Sequence, residues 1–314
     1  MEKVSRSFTV DLRGLGALRE LDRRGSLAKA AEAMRLTPSA VSQQLAALSR
    51  EWGVPLVRRK GRGVQLTGQA RVMLRHADII AAQLERARAD LAAWGGGQRG
   101  TLTVGAFSSA ISGLLPAALT ELAATNPDIG VAVVEAEPPD LFTRLDAGEI
   151  DVALAVDFGQ APPFTDRRYT RTDLLTDILD VALPVTHRLA GQQRVKLREL
   201  ATEAWIVGDA GSCCGAVTRS VCAAGGFTPE IRHAVNDWQS LAALVEAGIG
   251  VALVPRLVQP LHRPGLVLRE PEGQPPVRHV FAAVRAGAEN DPLLTAFVGH
   301  LVAAGRNAGG APRR

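Results

Sequence analysis

Between residues 12 and 94 the apolar positions recur every three or four residues; beyond Thr101 they come in short runs split by turn residues. The first pattern predicts helices and the second predicts strands alternating with helices. Leu12, Leu15, Leu18 and Leu21 mark one amphipathic helix, ended by Gly25. Ser26 reads as the N-cap of a short alanine-rich helix from Leu27 to Met34. A turn, Arg35-Leu36-Thr37, follows. Thr37 then caps a further helix whose first position is Pro38, where the missing N–H costs nothing. In that helix Val41, Leu45 and Leu48 follow the i, i+4, i+7 spacing and face inward, while Ser39, Ser42, Gln43 and Gln44 face outward. Two short helices across a tight turn, the second with a hydroxyl and amide face, predict a helix-turn-helix. Gln can both donate to and accept from base edges in a DNA major groove, and Ser can do either.

Val54 to Val57 and Val64 to Leu66 read as two strands around a basic turn, a wing. Arg58, Arg59, Lys60 and Arg62 would meet phosphates or the minor groove. From Thr67 to Trp94 no proline occurs and no glycine follows Gly68, so one helix of roughly 40 Å is expected. Met73, Ala77, Ile80, Leu84, Ala87 and Leu91 form a heptad seam along it. The seam serves either the helix's own domain or a second subunit. Gly95 to Gly100 reads as a hinge.

Strands are expected at Thr101–Phe107, Ile129–Val134 and Ile150–Val156, with helices at Ile111–Ala124 and Leu141–Ala147 between them. That alternation predicts a parallel sheet covered on both faces. A second unit is expected from Leu174, with strands at Leu179–Leu183, Trp205–Val207 and Val251–Val254 and a helix at Ala216–Ala224. Strands near Leu266 and Val280–Val284 return the chain to the first lobe, and Pro292–Ala304 closes it as a helix. Ligands of such sheets sit at the carboxyl ends of strands. Ser108 and Ser109 lie at such an end, where each either caps its helix or meets a ligand.

Charge sharpens the division. The first 100 residues carry 18 Lys+Arg against 9 Asp+Glu, and the remainder carries 18 against 23. A basic front on an acidic rear suits a polyanion-binding head and a body with another task. No signal-like segment opens the chain and no apolar run approaches a membrane span, so a soluble, cytoplasmic protein without membrane contact is expected. The three cysteines, Cys213, Cys214 and Cys222, are not a disulfide framework. No phosphate loop, dinucleotide-binding glycine motif or HExxH occurs, and His187, His233, His262 and His279 lack metal-ligand spacing. No enzyme, catalytic residue, metal or cofactor is expected.

Gly25-Ser26, Ala30-Ala31, TPSAVSQQLAAL, GVPLVRR and GRGVQLTGQA together resemble the DNA-binding head of LysR-type transcriptional regulators. EIDVALAV, LPVTHRLA and EAGIGVALVP resemble the two-lobed effector domain of the same family. Pro38-Ser39 and Gln43 depart from residues common in the family, which leaves the operator sequence open. The resemblance implies an α/β chain with an N-terminal all-α winged helix-turn-helix, a long linker helix and a two-lobed, periplasmic-binding-protein-like effector domain. The boundaries expected are 1–66 for the head, 67–94 for a dimerising linker helix, 95–100 for the hinge and 101–305 for the effector domain. Lobe I would hold about 101–173 and 277–305, lobe II about 174–276, and 306–314 would be a disordered tail. Promoter DNA, a small-molecule effector and a second copy, in a dimer or tetramer, are the implied partners, with RNA polymerase a further candidate.

The DNA-facing residues implied are Ser26, Thr37, Pro38, Ser39, Ser42, Gln43, Gln44, Arg58, Arg59, Lys60 and Arg62. For the interlobe cleft they are Ser108, Ser109, Glu137, Cys213, Asp237 and Trp238. Asp237 also reads as a helix N-cap and Trp238 as core. Cys213 and Cys222, nine apart, resemble the pair of the peroxide-sensing branch. On an intact helix they would lie roughly 13 Å apart, too far for a disulfide.

Overall fold

The computed structural model describes residues 11–309, except 62, 96–98, 159–160, 210–211 and 259–262. The chain divides into two compact units, Met1–Leu84 and Glu85–Arg314.

In the first unit α1 (Leu12–Arg24), α2 (Leu27–Ala33) and α3 (Pro38–Trp52) enclose a core of Leu15, Leu18, Leu21, Ala30, Ala31, Val41, Leu45 and Leu48. Each helix starts on a side-chain cap, which satisfies an N–H the helix itself cannot. Asp11 accepts from the Gly14 amide at 2.9 Å, Ser26 from Lys29 at 3.3 Å and Thr37 from Ala40 at 3.2 Å. The turn between α2 and α3 holds Arg35 at φ 53°, in the left-handed region.

The hairpin that follows pairs β1 (Val57–Lys60) with β2 (Gly63–Leu66), Val57 opposite Leu66 and Lys60 opposite Gly63. Its first strand starts three residues later than the expected Val54–Val57. Pro55 has no N–H to give a ladder, and residues 54–56 instead carry Leu56 into the core, where it is fully buried. Arg58, Arg59 and Lys60 therefore lie along the strand itself. Thr67 joins the hairpin to α4 (Gly68–Trp94): its hydroxyl donates to the Pro55 carbonyl at 2.7 Å and accepts from the Ala70 amide at 3.1 Å. Met73 and Ala77 are buried in the head's own core and Ile80 packs against it. The expected seam is thus divided. Its first half completes the head, while Leu84 and Leu91 are 45% and 74% exposed.

The second unit opens with β3 (Gly100–Ala106), α5 (Ser108–Gly113), α6 (Leu115–Thr125), β4 (Ile129–Glu135), α7 (Asp140–Ala147) and β5 (Val152–Val156). One helix was expected across Ile111–Ala124; two are observed. Pro116 has no N–H for the carbonyl four residues before it, and Gly113 meets another segment. A Cβ on Gly113 would lie 1.9 Å from the Leu257 carbonyl oxygen. β6 (Tyr169–Pro184) follows, then β7 (Arg194–Val195), β8 (Ala204–Val207), α8 (Cys213–Ala224), β9 (Glu230–Ala234) and α9 (Trp238–Glu246). β10 (Ala252–Pro255), β11 (Leu266–Pro271), β12 (Val277–Arg285) and α10 (Pro292–Gly309) complete it.

β3 pairs in parallel with β4 and β5, as the strand-helix alternation implies, but β12 is antiparallel to both β5 and β6. The sheet is mixed rather than purely parallel. β6 is the spine of the unit. Its first ten residues pair with β12 and its last six with β10 and β11. Lobe II was expected to begin at Leu174; the chain instead crosses between lobes inside one unbroken strand, because no glycine or proline interrupts 169–183. Lobe I packs α5, α6 and α10 on its sheet around Phe107, Leu114, Leu122 and Phe297. Lobe II closes around the buried Trp205, whose indole N–H donates to the Leu200 carbonyl at 3.1 Å. α10 runs to Gly309, past the expected end at Ala304, since nothing in Arg306-Asn307-Ala308 breaks a helix. Residues 310–314 of the expected tail lie outside the described residues. Among the described residues no helix is long and apolar enough to cross a membrane.

Candidate functional site

Two surfaces concentrate polar chemistry. The first is the outer face of α3 with its hairpin. Val41, Leu45 and Leu48 anchor the helix, so its opposite face is set by the 3.6-residue period. Pro38, Ser39, Ser42 and Gln43 are exposed on it. Gln44 is not: it is half-buried, and its Oε1 is enclosed without a hydrogen-bond partner. It lies one position before the buried Leu45, which turns it toward the core. Ser26 and Thr37 use their hydroxyls as helix caps. Arg58, Arg59 and Lys60 are all exposed on β1, and Arg58 donates to Gln65 across the hairpin at 3.0 Å. Arg62 lies outside the described residues. A solvent-facing helix of hydroxyls and amides beside a cationic strand can read a groove and hold phosphates together.

The second surface is a cleft of about 440 Å³ between the lobes of the second unit. Lobe I supplies Phe107, Ser108, Ser109, Glu135 and Glu137; lobe II supplies Gly208, Ser212, Cys214, Val235, Asn236, Asp237 and Trp238. The walls come from carboxyl ends of β3, β4, β8 and β9 and from the starts of α5, α8 and α9, the position at which open α/β sheets bind ligands. Hydrogen bonds span the lobes here. The Trp238 indole N–H donates to Ser108 Oγ at 3.2 Å, and the Cys213 amide donates to Glu137 Oε2 at 3.4 Å. Neither Ser108 nor Ser109 caps α5. Asp237 does cap α9, accepting from the Ser240 amide at 2.7 Å; the Ser240 hydroxyl and then its amide hold the carboxyl below the ordinary range. Asn236 and Asp209 exchange two hydrogen bonds, at 2.7 and 3.0 Å, and fix the lobe II loops.

Beneath the cleft lies an ion pair that the chain order hides. Arg278, 1% exposed, donates through Nη2 and Nε to Asp177 Oδ2 at 2.8 and 3.0 Å. Asp177 also accepts from the Leu257 amide at 3.0 Å. The guanidinium continues to Ser109 Oγ at 2.7 Å and Cys214 Sγ at 3.2 Å, with its carbon 5.1 Å from the Phe107 ring centre. Arg278 and Asp177 face each other in the β12–β6 register, where the lobes meet. A signal for them exists. Arg278 shares its strand parity with Val280, Ala282 and Val284, and Asp177 with Leu179, Val181 and Leu183, so both point where apolar residues point.

The cysteines divide differently from the expected pair. Cys213 is buried against lobe I, Cys222 is buried in the lobe II core, and Cys214 lines the cleft. Its hydrogen bond with Cys213 holds the Cys214 thiol below its ordinary range, burial opposes that and Arg278 adds to it. The same hydrogen bond, then burial, pushes Cys213 up; burial alone pushes Cys222 up to about 12. Glu137 is pushed up by burial, with the Cys213 amide and Arg278 opposing. Among the described residues no cluster of His, Cys, Asp and Glu could hold a metal.

Comparison with known proteins follows this division. Residues 12–71 match the bacterial regulatory helix-turn-helix protein model of the lysR family, and residues 95–306 match the LysR substrate binding domain. A probable hydrogen peroxide-inducible genes activator of Mycobacterium leprae is 28% identical over 288 residues, 90% of each chain. The transcriptional dual regulator GltC of Bacillus subtilis is 26% identical over 79% of this chain and 81% of its own. An H2O2-bound cysteine mutant of Corynebacterium glutamicum OxyR superposes with a TM-score of 0.62 at 23% identity, covering 96% of this chain and 95% of its own. With a helix-turn-helix model and a substrate-domain model together spanning most of its length, this chain belongs to the LysR family of DNA-binding transcriptional regulators.

Proposed function

We propose that this regulator reads promoter DNA with the exposed face of α3 in the major groove and β1 along the phosphates. A small molecule bound between the lobes would set its affinity for that DNA. The observation that carries the effector half is the 440 Å³ cleft, walled by hydroxyls, carboxylates and an indole drawn from both lobes. A ligand held by both walls stabilises one lobe arrangement over another, and only such differential affinity can move an equilibrium. Leu84, Ala87 and Leu91, exposed on α4, suit pairing with a second copy. Joining two weak DNA heads can raise avidity by about 10²–10⁴.

The test uses the full chain and a fluorescent fragment from upstream of its own gene. Affinity should fall steeply with salt, and Ser39→Ala with Gln43→Ala should lower it for the native fragment more than for shuffled DNA. Equal loss on both would remove α3 as the reading element. Effector binding is tested by thermal-shift screening of metabolites, since a ligand of the folded state raises its melting temperature.

A second reading, a thiol response to peroxide, is favoured by the Arg278–Cys214 contact of 3.2 Å. The Cys214 thiolate would take one oxygen of hydrogen peroxide, releasing hydroxide and leaving a sulfenic acid. A Cys213–Cys222 disulfide would require α8 to unwind. Peroxide titration of DNA binding decides: if Cys213→Ser, Cys214→Ser and the unmodified chain respond alike, this reading fails.

A further inference from the structure

We infer that the effector carries a cation, an amine or guanidine, and that this cleft discriminates against carboxylates. The inference rests on the cleft being the effector site; the cleft supplies the site and its charges decide the ligand.

An anion in a protein cleft is held by unclaimed N–H groups at a helix start, by a free guanidinium or by an ammonium. Here the protein's own acids and hydroxyls have taken such places at the starts of α8 and α9, while α5, only six residues long, starts without a side-chain cap. At the start of α8 the Cys213 amide donates to Glu137 at 3.4 Å, and the Gly215 amide to Ser212 Oγ at 3.0 Å. At the start of α9 the Ser240 amide is taken by Asp237 at 2.7 Å. Arg278, the guanidinium beneath the cleft, is 1% exposed and spends its donors on Asp177, Ser109 and Cys214. The described lining residues include Glu135, Glu137 and Asp237 and no Lys, Arg or His. A carboxylate ligand would therefore enter against three like charges, with its own desolvation uncompensated.

A cation meets the opposite situation. Glu137 is half-buried, and the cation that acts on it, Arg278, is already paired with Asp177. A ligand ammonium would supply a partner of its own as a charge-assisted hydrogen bond. Trp238 adds an aromatic wall, its ring tied by the Ser108 hydrogen bond. Cations favour such faces, indole most. Ser108 and Asn236 offer oxygen acceptors beside it.

The experiment is calorimetric titration of the full chain with a panel of primary amines and alkylguanidines and their isosteric carboxylates, benzylamine against benzoate among them. The best amine should bind at least tenfold more tightly than its carboxylate partner. Glu137→Gln, which keeps the side chain's volume and an acceptor for the Cys213 amide, should weaken that amine tenfold or more. Ser108→Trp, which fills the cleft, should abolish its binding. A carboxylate that binds more tightly and is lost in Ser108→Trp overturns the charge inference and leaves the cleft reading standing. Amine binding that survives Ser108→Trp overturns the cleft reading and the inference with it. A panel in which no amine binds, or in which Glu137→Gln leaves the amine within twofold, overturns the inference.

Discussion

Replacing Asp177 by Ala would leave the Arg278 guanidinium, 1% exposed, without its carboxylate. Two hydrogen bonds, at 2.8 and 3.0 Å, would go, and the Leu257 amide would lose its acceptor. Ser109 and Cys214 remain, but neither carries enough charge to replace an aspartate. Breaking a buried pair in this way costs about 3–5 kcal/mol, a large part of a typical stability of roughly 5–15 kcal/mol. With an m-value of about 2–3 kcal/mol/M, the urea midpoint of the effector unit should fall by roughly 1–2.5 M. Urea unfolding of the full chain, followed by tryptophan emission, to which the buried Trp205 contributes, reads this. The companion variant Asp177→Leu with Arg278→Met removes both charges and keeps apolar volume, so it should recover most of the loss. A single substitution costing under about 1 kcal/mol would mean that water reaches the pair and that burial does not set its energy. A double variant no more stable than the single one would mean that the loss comes from packing rather than from an orphaned charge.

Arg58→Ala with Arg59→Ala should leave the melting temperature unchanged, since both residues are exposed, and should lower the salt slope of DNA affinity by about one for each phosphate no longer neutralised. Gly113→Ala should destabilise the effector unit by about 1–3 kcal/mol in chemical unfolding, because its Cβ would meet the Leu257 carbonyl at 1.9 Å. Arg35→Gly should raise the head's stability by about 1 kcal/mol, since Arg35 sits at φ 53° where a side chain is strained. Glu137 is pushed above the ordinary carboxylate range by burial, so the folded state binds its proton more tightly than the unfolded chain does. Its contribution is present below about pH 4.5 and is lost as pH rises through the raised value. Glu137→Gln should therefore raise stability at neutral pH and change it little at pH 4, as melting curves at the two pH values would show.

Local rules written into the chain determined the head. Caps at Ser26 and Thr37, Pro38 at a helix start and the spacing of Val41, Leu45 and Leu48 each act within one or two turns, and they fix which face of α3 meets solvent. The alternation of strands and helices after Thr101 likewise announced an α/β body, which the family resemblance made two-lobed, and Ser108, Ser109, Glu137, Asp237 and Trp238 do line its cleft. What tertiary structure alone decided depends on residues far apart in sequence. Asp177 and Arg278 are 101 positions apart and become neighbours only through the β6–β12 register. Gln44 and Cys213 were expected to face outward or into the cleft, but packing against other segments turns both away, and Cys214 takes the place expected for Cys213. Helical periodicity states which residues share a face; which face another segment covers is set by contacts that no local window contains.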